Sequence, residues 1–330
     1  MHLFVSNRRN RAACFALLAI TFMLPSATRA QWKATVGAQS EDLGRQVLAF
    51  LPNEIWIHQG DTITWVFATD EIHTVSFLLP GQVRLPFQAG CPGFVAGDSA
   101  TVDGKSCVTT NAPPTGGPNF TVTFTKAGNY KLVCLVHENM TGVVHVLAAN
   151  AKLPHDQAFY DEVAAREADQ LLSQAARNDD NEDEHHHSGH VTVGRGKVLA
   201  TGGGSETVSV MRFMEDKTVI HAGETVEWTN DDPITPHTIT FGAEPQGNPT
   251  PPSANVTTDA DGGLHATISS TKDNVHSGFI IAAPQERDGL PQAPIGTTHF
   301  RVTFTKPGKY PYICVLHDDL GMKGEIVVLP

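Results

Sequence analysis

The sequence predicts an all-β protein that carries one antiparallel sandwich twice. Three observations predict it. Short β-branched and aromatic runs recur between turn residues, as in "DTITWVF", "HTVSF", "FTVTFT", "YKLVCLV" and "GVVHVL". Glycine and proline are frequent, 29 and 21 of 330 residues, which suits many turns. The chain also repeats itself. "TVTFTKAGNYKLVCLVHENM" from Thr121 matches "RVTFTKPGKYPYICVLHDDLGM" from Arg301, with the core V-T-F-T-K-x-G-x-Y and a cysteine four residues after the tyrosine in both. Upstream, "IWIHQGDTITWVFATDEIHTVSF" matches "TVIHAGETVEWTNDDPITPHTITF", which pairs His58 with His221, Trp65 with Trp228 and His73 with His237. A repeat of this length is a duplicated domain and not a solenoid unit.

Residues 1–30 read as an export signal. "NRRNR" is cationic, "AACFALLAITFML" is apolar and "PSATRA" ends in small residues. An apolar run of about thirteen residues is short for a bilayer, so cleavage near Ala30 and a periplasmic or extracellular destination are expected. No other run is long enough to cross a membrane. Residues 31–150 form the first expected domain. Within it, Cys91 and Cys107 flank the loop "CPGFVAGDSATVDGKSC" and can pair in an oxidising compartment. Closing that loop would stabilise the fold by ~3 kcal/mol in the chain-entropy picture. Cys14 leaves with the signal, so Cys134 and Cys314 remain as two unpaired thiols, one per half.

Residues 151–190 change character. From Pro154 to Arg177 an Ala-, Leu-, Gln- and Glu-rich stretch sets Phe159, Val163, Leu171, Leu172 and Ala175 near one face at helical period, with Pro154 placed to start the helix. "NDDNEDEHHHSGH" follows, a flexible linker by composition. Its His185, His186, His187 and His190 can hold a cation loosely, which would suit copper capture or delivery. The second domain is expected over 191–330. Acids outnumber bases 35 to 23, a formal charge of -12 that argues against a nucleic-acid partner.

The unpaired thiols point to a metal. Two imidazoles, one thiolate and a weak thioether form the donor set of a blue-copper site. The first half offers His73, Cys134, His137 and Met140; the second offers His237, Cys314, His317 and Met322. Met140 is the sole methionine between Gln31 and Asn150. In each set one histidine comes from a distant strand and three donors come from a strand end and its loop. Zinc, which favours four Cys or His ligands, suits a thioether-containing set poorly.

With these residues in view, both halves resemble cupredoxins, the plastocyanin, amicyanin and azurin family of type 1 copper proteins. "CLVHENM" is similar to the amicyanin ligand loop and "CVLHDDLGM" to the plastocyanin loop. The resemblance covers roughly residues 35–148 and 191–330. It implies Greek-key sandwiches, two copper ions and one-electron transfer between a redox donor and an acceptor. It also implies that the loop histidines His137 and His317 lie near the surface as the electron's exit. Both halves depart from the family in long insertions, such as "GAEPQGNPTPPSANVTTDADGG".

Cupredoxin domains also build nitrite reductases and oxidases, in which a further copper lies close to the blue site. In such enzymes, by resemblance, a histidine adjacent to the ligand cysteine leads to that copper. Here Cys134 lies between Val133 and Leu135, and Cys314 between Ile313 and Val315. An electron carrier is therefore the expected function. The enzyme reading stays open through His58, His145, His221, His265, His276 and His299, three of which could meet at an interface. Ligand loops of two lengths suggest two potentials and a relay between centres.

Overall fold

The computed structural model describes residues 29–82, 84, 91, 94–95, 98–110, 119–179, 189–282 and 296–330. The expected signal up to residue 28 and the tract 180–188, with His185, His186 and His187, lie outside the described residues.

The first sandwich contains β1 (Gln31–Gln39), β2 (Arg45–Leu51), β3 (Glu54–His58), β4 (Thr62–Phe67), β5 (Ser76–Phe77), β6 (Phe94–Val95), β7 (Ser99–Val102), β8 (Val108–Thr110), β9 (Phe120–Phe124), β10 (Gly128–Val133) and β11 (Thr141–Leu147). Helix α1 (Gln157–Asp179) follows. The second contains β12 (His190–Ala200), β13 (Ser205–Phe213), β14 (Lys217–His221), β15 (Thr225–Asp231), β16 (Thr240–Phe241), β17 (Thr257–Thr258), β18 (Leu264–Ile268), β19 (Val275–His276), β20 (His299–Phe304), β21 (Gly308–Ile313) and β22 (Lys323–Leu329).

The duplication is visible in the pairing. One sheet of the first sandwich runs β2-β1-β4-β9-β7, and its counterpart runs β13-β12-β15-β20-β18. The facing sheets are β3-β11-β10-β5-β8 and β14-β22-β21-β16-β19. Along β20 every second residue is buried, and along β4 Ile63 and Trp65 are, so one face of each strand enters the core. Trp65, Phe77, Phe120 and Phe124 fill the first core; Trp228, Phe241, Phe300 and Phe304 fill the second.

Strands β2 and β13, equivalent in the two halves, pair antiparallel through Leu48↔Thr207, Val47↔Val208, Gln46↔Ser209 and Arg45↔Val210. This is the geometry of a two-fold contact within one chain. It fuses the two half-sheets into one continuous sheet. Strand β2 is accordingly buried on both faces. Leu48 and Phe50 enter the first sandwich, while Val47, Ala49 and Leu51 meet Val208, Leu171 and Ala175 in a third core beneath α1.

The helix begins at Gln157, with the Asp156 carboxylate accepting the Phe159 N–H at 3.0 Å. Its buried residues are Tyr160, Leu171 and Ala175. Phe159, expected on the buried face, is instead 40% exposed and stacks on His155 at 3.6 Å. Tyr160 takes the inward position, because its hydroxyl can accept the Trp56 N–H at 3.0 Å while its ring meets Trp32. A disulfide joins Cys91 and Cys107, with Cα atoms 5.5 Å apart. It packs on Val133 and Leu135, the two neighbours of Cys134. In the second insertion, Asp259 and Asp261 hold the Arg301 guanidinium at 3.1 and 2.8 Å.

Candidate metal centres

Each candidate centre is built from a strand end and a hairpin loop. Cys134 follows β10 and Cys314 follows β21, and each loop closes on a methionine before the return strand. The Cys134 N–H donates to the Met140 carbonyl at 2.9 Å, and Cys314 to Met322 at 3.1 Å, so loops of two lengths share one closing bond. A left-handed residue precedes each methionine, Asn139 at φ 55° and Gly321 at φ 87°. Both methionines are fully buried in the core that contains their cysteine. The upstream histidines, His73 and His237, sit in the loops leading into β5 and β16.

The structure brings His73, Cys134 and His137 together, and likewise His237, Cys314 and His317. Nδ1 of His73 lies 3.1 Å from Nδ1 of His137, and Nδ1 of His237 lies 3.1 Å from Nδ1 of His317. Cys134 Sγ is 3.9 Å from His137 Nδ1; Cys314 Sγ is 3.8 and 3.4 Å from the two Nδ1 atoms of its group. Two imidazole nitrogens and a sulfur at these separations fit around one ion with bonds of about 2.0–2.3 Å. Nδ1 of His73 and of His237 is the nitrogen that faces the other donors, while Nε2 of each is buried without a hydrogen-bond partner among the described residues.

The sulfurs are prepared as anions. Cys134 Sγ accepts N–H bonds from Thr74 and His137, both at 3.4 Å, and Cys314 Sγ accepts one from Thr238 at 3.3 Å. Burial pushes the Cys134 thiol up, but the bonds and charges of His137 and His73 outweigh it and hold the thiol well below its usual range. Cys314 is lowered in the same manner by His317, against burial. Burial and the charge of His317 press His237 well below the ordinary imidazole value, so it stays neutral and able to bind a cation.

The resemblance places the loop histidines near the surface. Here His137 and His317 are each only 3% exposed. The reason is the packing of the two sandwiches, which turns the loops toward each other, with Glu71 between them. Glu71 Oε1 lies 3.2 Å from His137 Nε2, and Oε2 lies 3.6 Å from His317 Nε2. Burial pushes this carboxyl up, but the charge of His317 and the hydrogen bond from His137 prevail and hold it at about 2.

Several supporting residues carry little signal in the sequence. Gly37 and Gly194 lie at bulges in β1 and β12, each at positive φ and each against the upstream histidine. The repeated "TVG" that ends at each glycine is the one trace of them. Thr74 and Thr238, next to those histidines, accept the N–H of Leu135 and Val315 at 2.7 and 2.9 Å and so hold the residue after each cysteine. Arg84 clamps the first loop, donating to the Cys134 and Leu135 carbonyls at 3.0 and 2.8 Å and to Glu138 at 3.2 Å.

The other histidines are separate. His58 bonds the Ala151 carbonyl, His145 bonds Asn129 and Glu54, and His276 lies between Thr240 and the Pro249 carbonyl. His265 and His299 pair with Thr303 and Thr298, His190 with Thr229, and His221 is exposed beside Glu224. Among the described residues, His, Cys, Asp and Glu gather for a metal at the two centres alone.

The fold and its two buried donor sets define a duplicated metal-binding β-sandwich protein. The model for copper binding proteins of the plastocyanin/azurin family matches residues 37–147 and 199–329, well over half of the chain, and the chain belongs to that family. Similar solved structures include a reduced amicyanin variant at 16% identity, covering 44% of this chain and 87% of that one, with a TM-score of 0.23. Oxidised plastocyanin from Dryopteris crassirhizoma shares 20% identity over 42% of this chain and 99% of its own, with a TM-score of 0.23. A purple cupredoxin from Nitrosopumilus maritimus shares 20% over 42% and 98%, with a TM-score of 0.21. No curated protein matches the chain. The cofactor of the family is copper, and the two His/Cys/His clusters, one per sandwich, correspond to two ions. The protein is thus a cupredoxin-like electron-transfer copper protein. No helix among the described residues is long and apolar enough to cross a membrane.

Proposed function

We propose that the chain is an exported carrier of single electrons with two type 1 copper centres. It carries a signal over 1–30, domains over 31–150 and 191–330, and a helix and acidic tract over 151–190. His73, Cys134, His137 and Met140 hold one ion, and His237, Cys314, His317 and Met322 hold the other. The observation that carries this reading is the pair of buried triangles, each with an Nδ1–Nδ1 edge of 3.1 Å and a fully buried methionine in the same core.

Copper supplies a one-electron Cu(II)/Cu(I) couple there. The residues do the rest. The lowered thiols of Cys134 and Cys314 bind as thiolates and are the strong donors. His73 and His237 are braced by the sandwich, the loop histidines by Glu71, and the aromatic cores exclude water. Donors held this firmly leave little to rearrange when the charge at the centre changes. Scattered, individually bonded histidines favour a carrier over a nitrite reductase or oxidase with an added copper. Its partners are a redox donor and an acceptor.

Redox titration of the copper-loaded full chain tests the reading. Two reversible one-electron steps are expected, with no turnover of nitrite and no consumption of O2 in the presence of a phenol. Sustained turnover of either substrate would establish an enzyme instead.

A further inference from the structure

Among the described residues, Glu71 is a buried carboxylate with no arginine or lysine paired to it. A bare buried charge of this kind is costly unless polar groups answer it. What answers it is a pair of imidazole Nε2 atoms from different sandwiches, at 3.2 Å (His137) and 3.6 Å (His317). Resting on the copper reading above, both imidazoles bind through Nδ1, so both present Nε2–H to the carboxylate. Metal-binding histidines commonly donate their second N–H to a carboxylate, which fixes the ring and raises its basicity. Here one carboxylate lies within hydrogen-bond distance of His137 and at ion-pair distance from His317, so it faces two histidines of two centres.

The placement is built. The Glu71 N–H donates to Thr69 Oγ1 at 3.1 Å, and that hydroxyl bonds the Gln46 side chain. The Asp70 N–H donates to Gln39 at 2.7 Å. Gln46 belongs to β2 and faces Ser209 across the seam, so the strand that welds the sandwiches also holds the loop that carries Glu71. The second half differs at this position: two residues before His237 stands Thr235, where Glu71 stands two before His73, and the buried acid of that loop, Asp232, accepts the Ile234 and Thr235 N–H groups instead. On the second side Ile234 joins the first core, and together the two sandwiches shut the site from water.

We propose that Glu71 is the bridge through which the two centres exchange an electron, along His137, the carboxylate and His317. One centre is oxidised as the other is reduced. Both Nε2–H protons stay in place, and no bond is made or broken. The loop histidines, buried against each other, act as an internal contact and not as an exit to a partner.

The test uses the full chain loaded with two copper ions and then half reduced. Magnetisation-exchange NMR follows the separately assigned His73 and His237 resonances over a dilution series. The wild-type chain should show a concentration-independent exchange rate. Glu71→Ala should slow it by about tenfold or more while the thiolate-to-copper absorption persists. Glu71→Gln, whose amide can accept from one imidazole only, should fall between. An unchanged rate in Glu71→Ala, or no concentration-independent exchange in the wild-type chain, overturns the bridge. The wild-type protein provides a check that needs no variant. In the fully reduced, diamagnetic chain the Nε2–H protons of His137 and His317 should both exchange slowly with solvent, and rapid exchange of both overturns the proposal. A chain that takes up no copper with the expected absorption overturns the copper reading itself, which is a different failure.

Discussion

Gly194 lies flat against the imidazole of His237: a Cβ built on it would overlap Nε2 and stand 2.8 Å from Cδ2. Gly37 also lies against His73, its Cβ position 3.0 Å from Nε2, although the tighter overlap there is with the Thr69 side chain. Both glycines have positive φ, +66° and +71°, so an added side chain meets backbone strain as well as a clash. Gly194→Ala should destabilise the chain by about 1–3 kcal/mol and push His237 off its position. Copper counting should then find the second centre depleted and the first retained. Gly37→Ala should show the reverse pattern.

Arg84 holds the first ligand loop by two carbonyls and an ion pair, and Arg84 and Glu138 are both largely buried. Arg84→Ala removes charge-assisted bonds worth about 1.5–3 kcal/mol each. Competition with a copper chelator should show the first centre releasing its ion about tenfold or more readily. The second centre should be unaffected.

The β2–β13 seam and the core beneath α1 join the two sandwiches mechanically. Calorimetry should therefore show one cooperative unfolding transition for the metal-free chain, where tandem modules would show two. Leu171→Ala, which opens the shared core, should cost about 2–5 kcal/mol. Loss of the seam contacts should split the transition rather than only lower it.

Glu206 of β13 is buried near Glu167 of α1. Burial first, and then the charge of Glu167, raises its carboxyl from 4.5 to about 7. The folded chain keeps this proton up to about 7, whereas the unfolded chain releases it near 4.5. The contribution to stability is therefore full below pH 4.5 and is lost as pH rises through 7. Glu206→Gln removes the loss. The gain in melting temperature should be larger above pH 7 than below pH 4.5, and an equal gain at both would contradict this account.

The sandwiches were legible because their signals are local. The alternation in "DTITWVF" and the turn in "TKAGNY" act within a few residues, and V-T-F-T-K-x-G-x-Y occurs twice. The donor sets were legible because sulfur and imidazole are scarce and their spacing recurs. What faces what was not. Glu71 is an ordinary acid in a loop until β2 and β13 pair, and nothing in its neighbourhood announces two histidines from different halves. Arg84 reaches the ligand loop from fifty residues away, measured from Cys134. Phe159 and Tyr160 are adjacent aromatics, and which one turns inward depends on the Trp56 N–H waiting there. The surface exit expected of His137 and His317 failed for the same reason, since exposure is decided by the neighbouring sandwich.

Cys134 and Cys314 should each bind one copper ion as thiolates. Visible absorption and electron paramagnetic resonance of the oxidised full chain, with copper counted per chain, test it most directly when Cys134→Ser and Cys314→Ser are measured alongside. Two ions are expected in the wild-type chain, with intense thiolate-to-copper absorption, and each single variant should keep the signature of the other centre alone. A colourless wild-type chain, zinc tightly held at both centres, or a spectrum indifferent to both cysteines would contradict it.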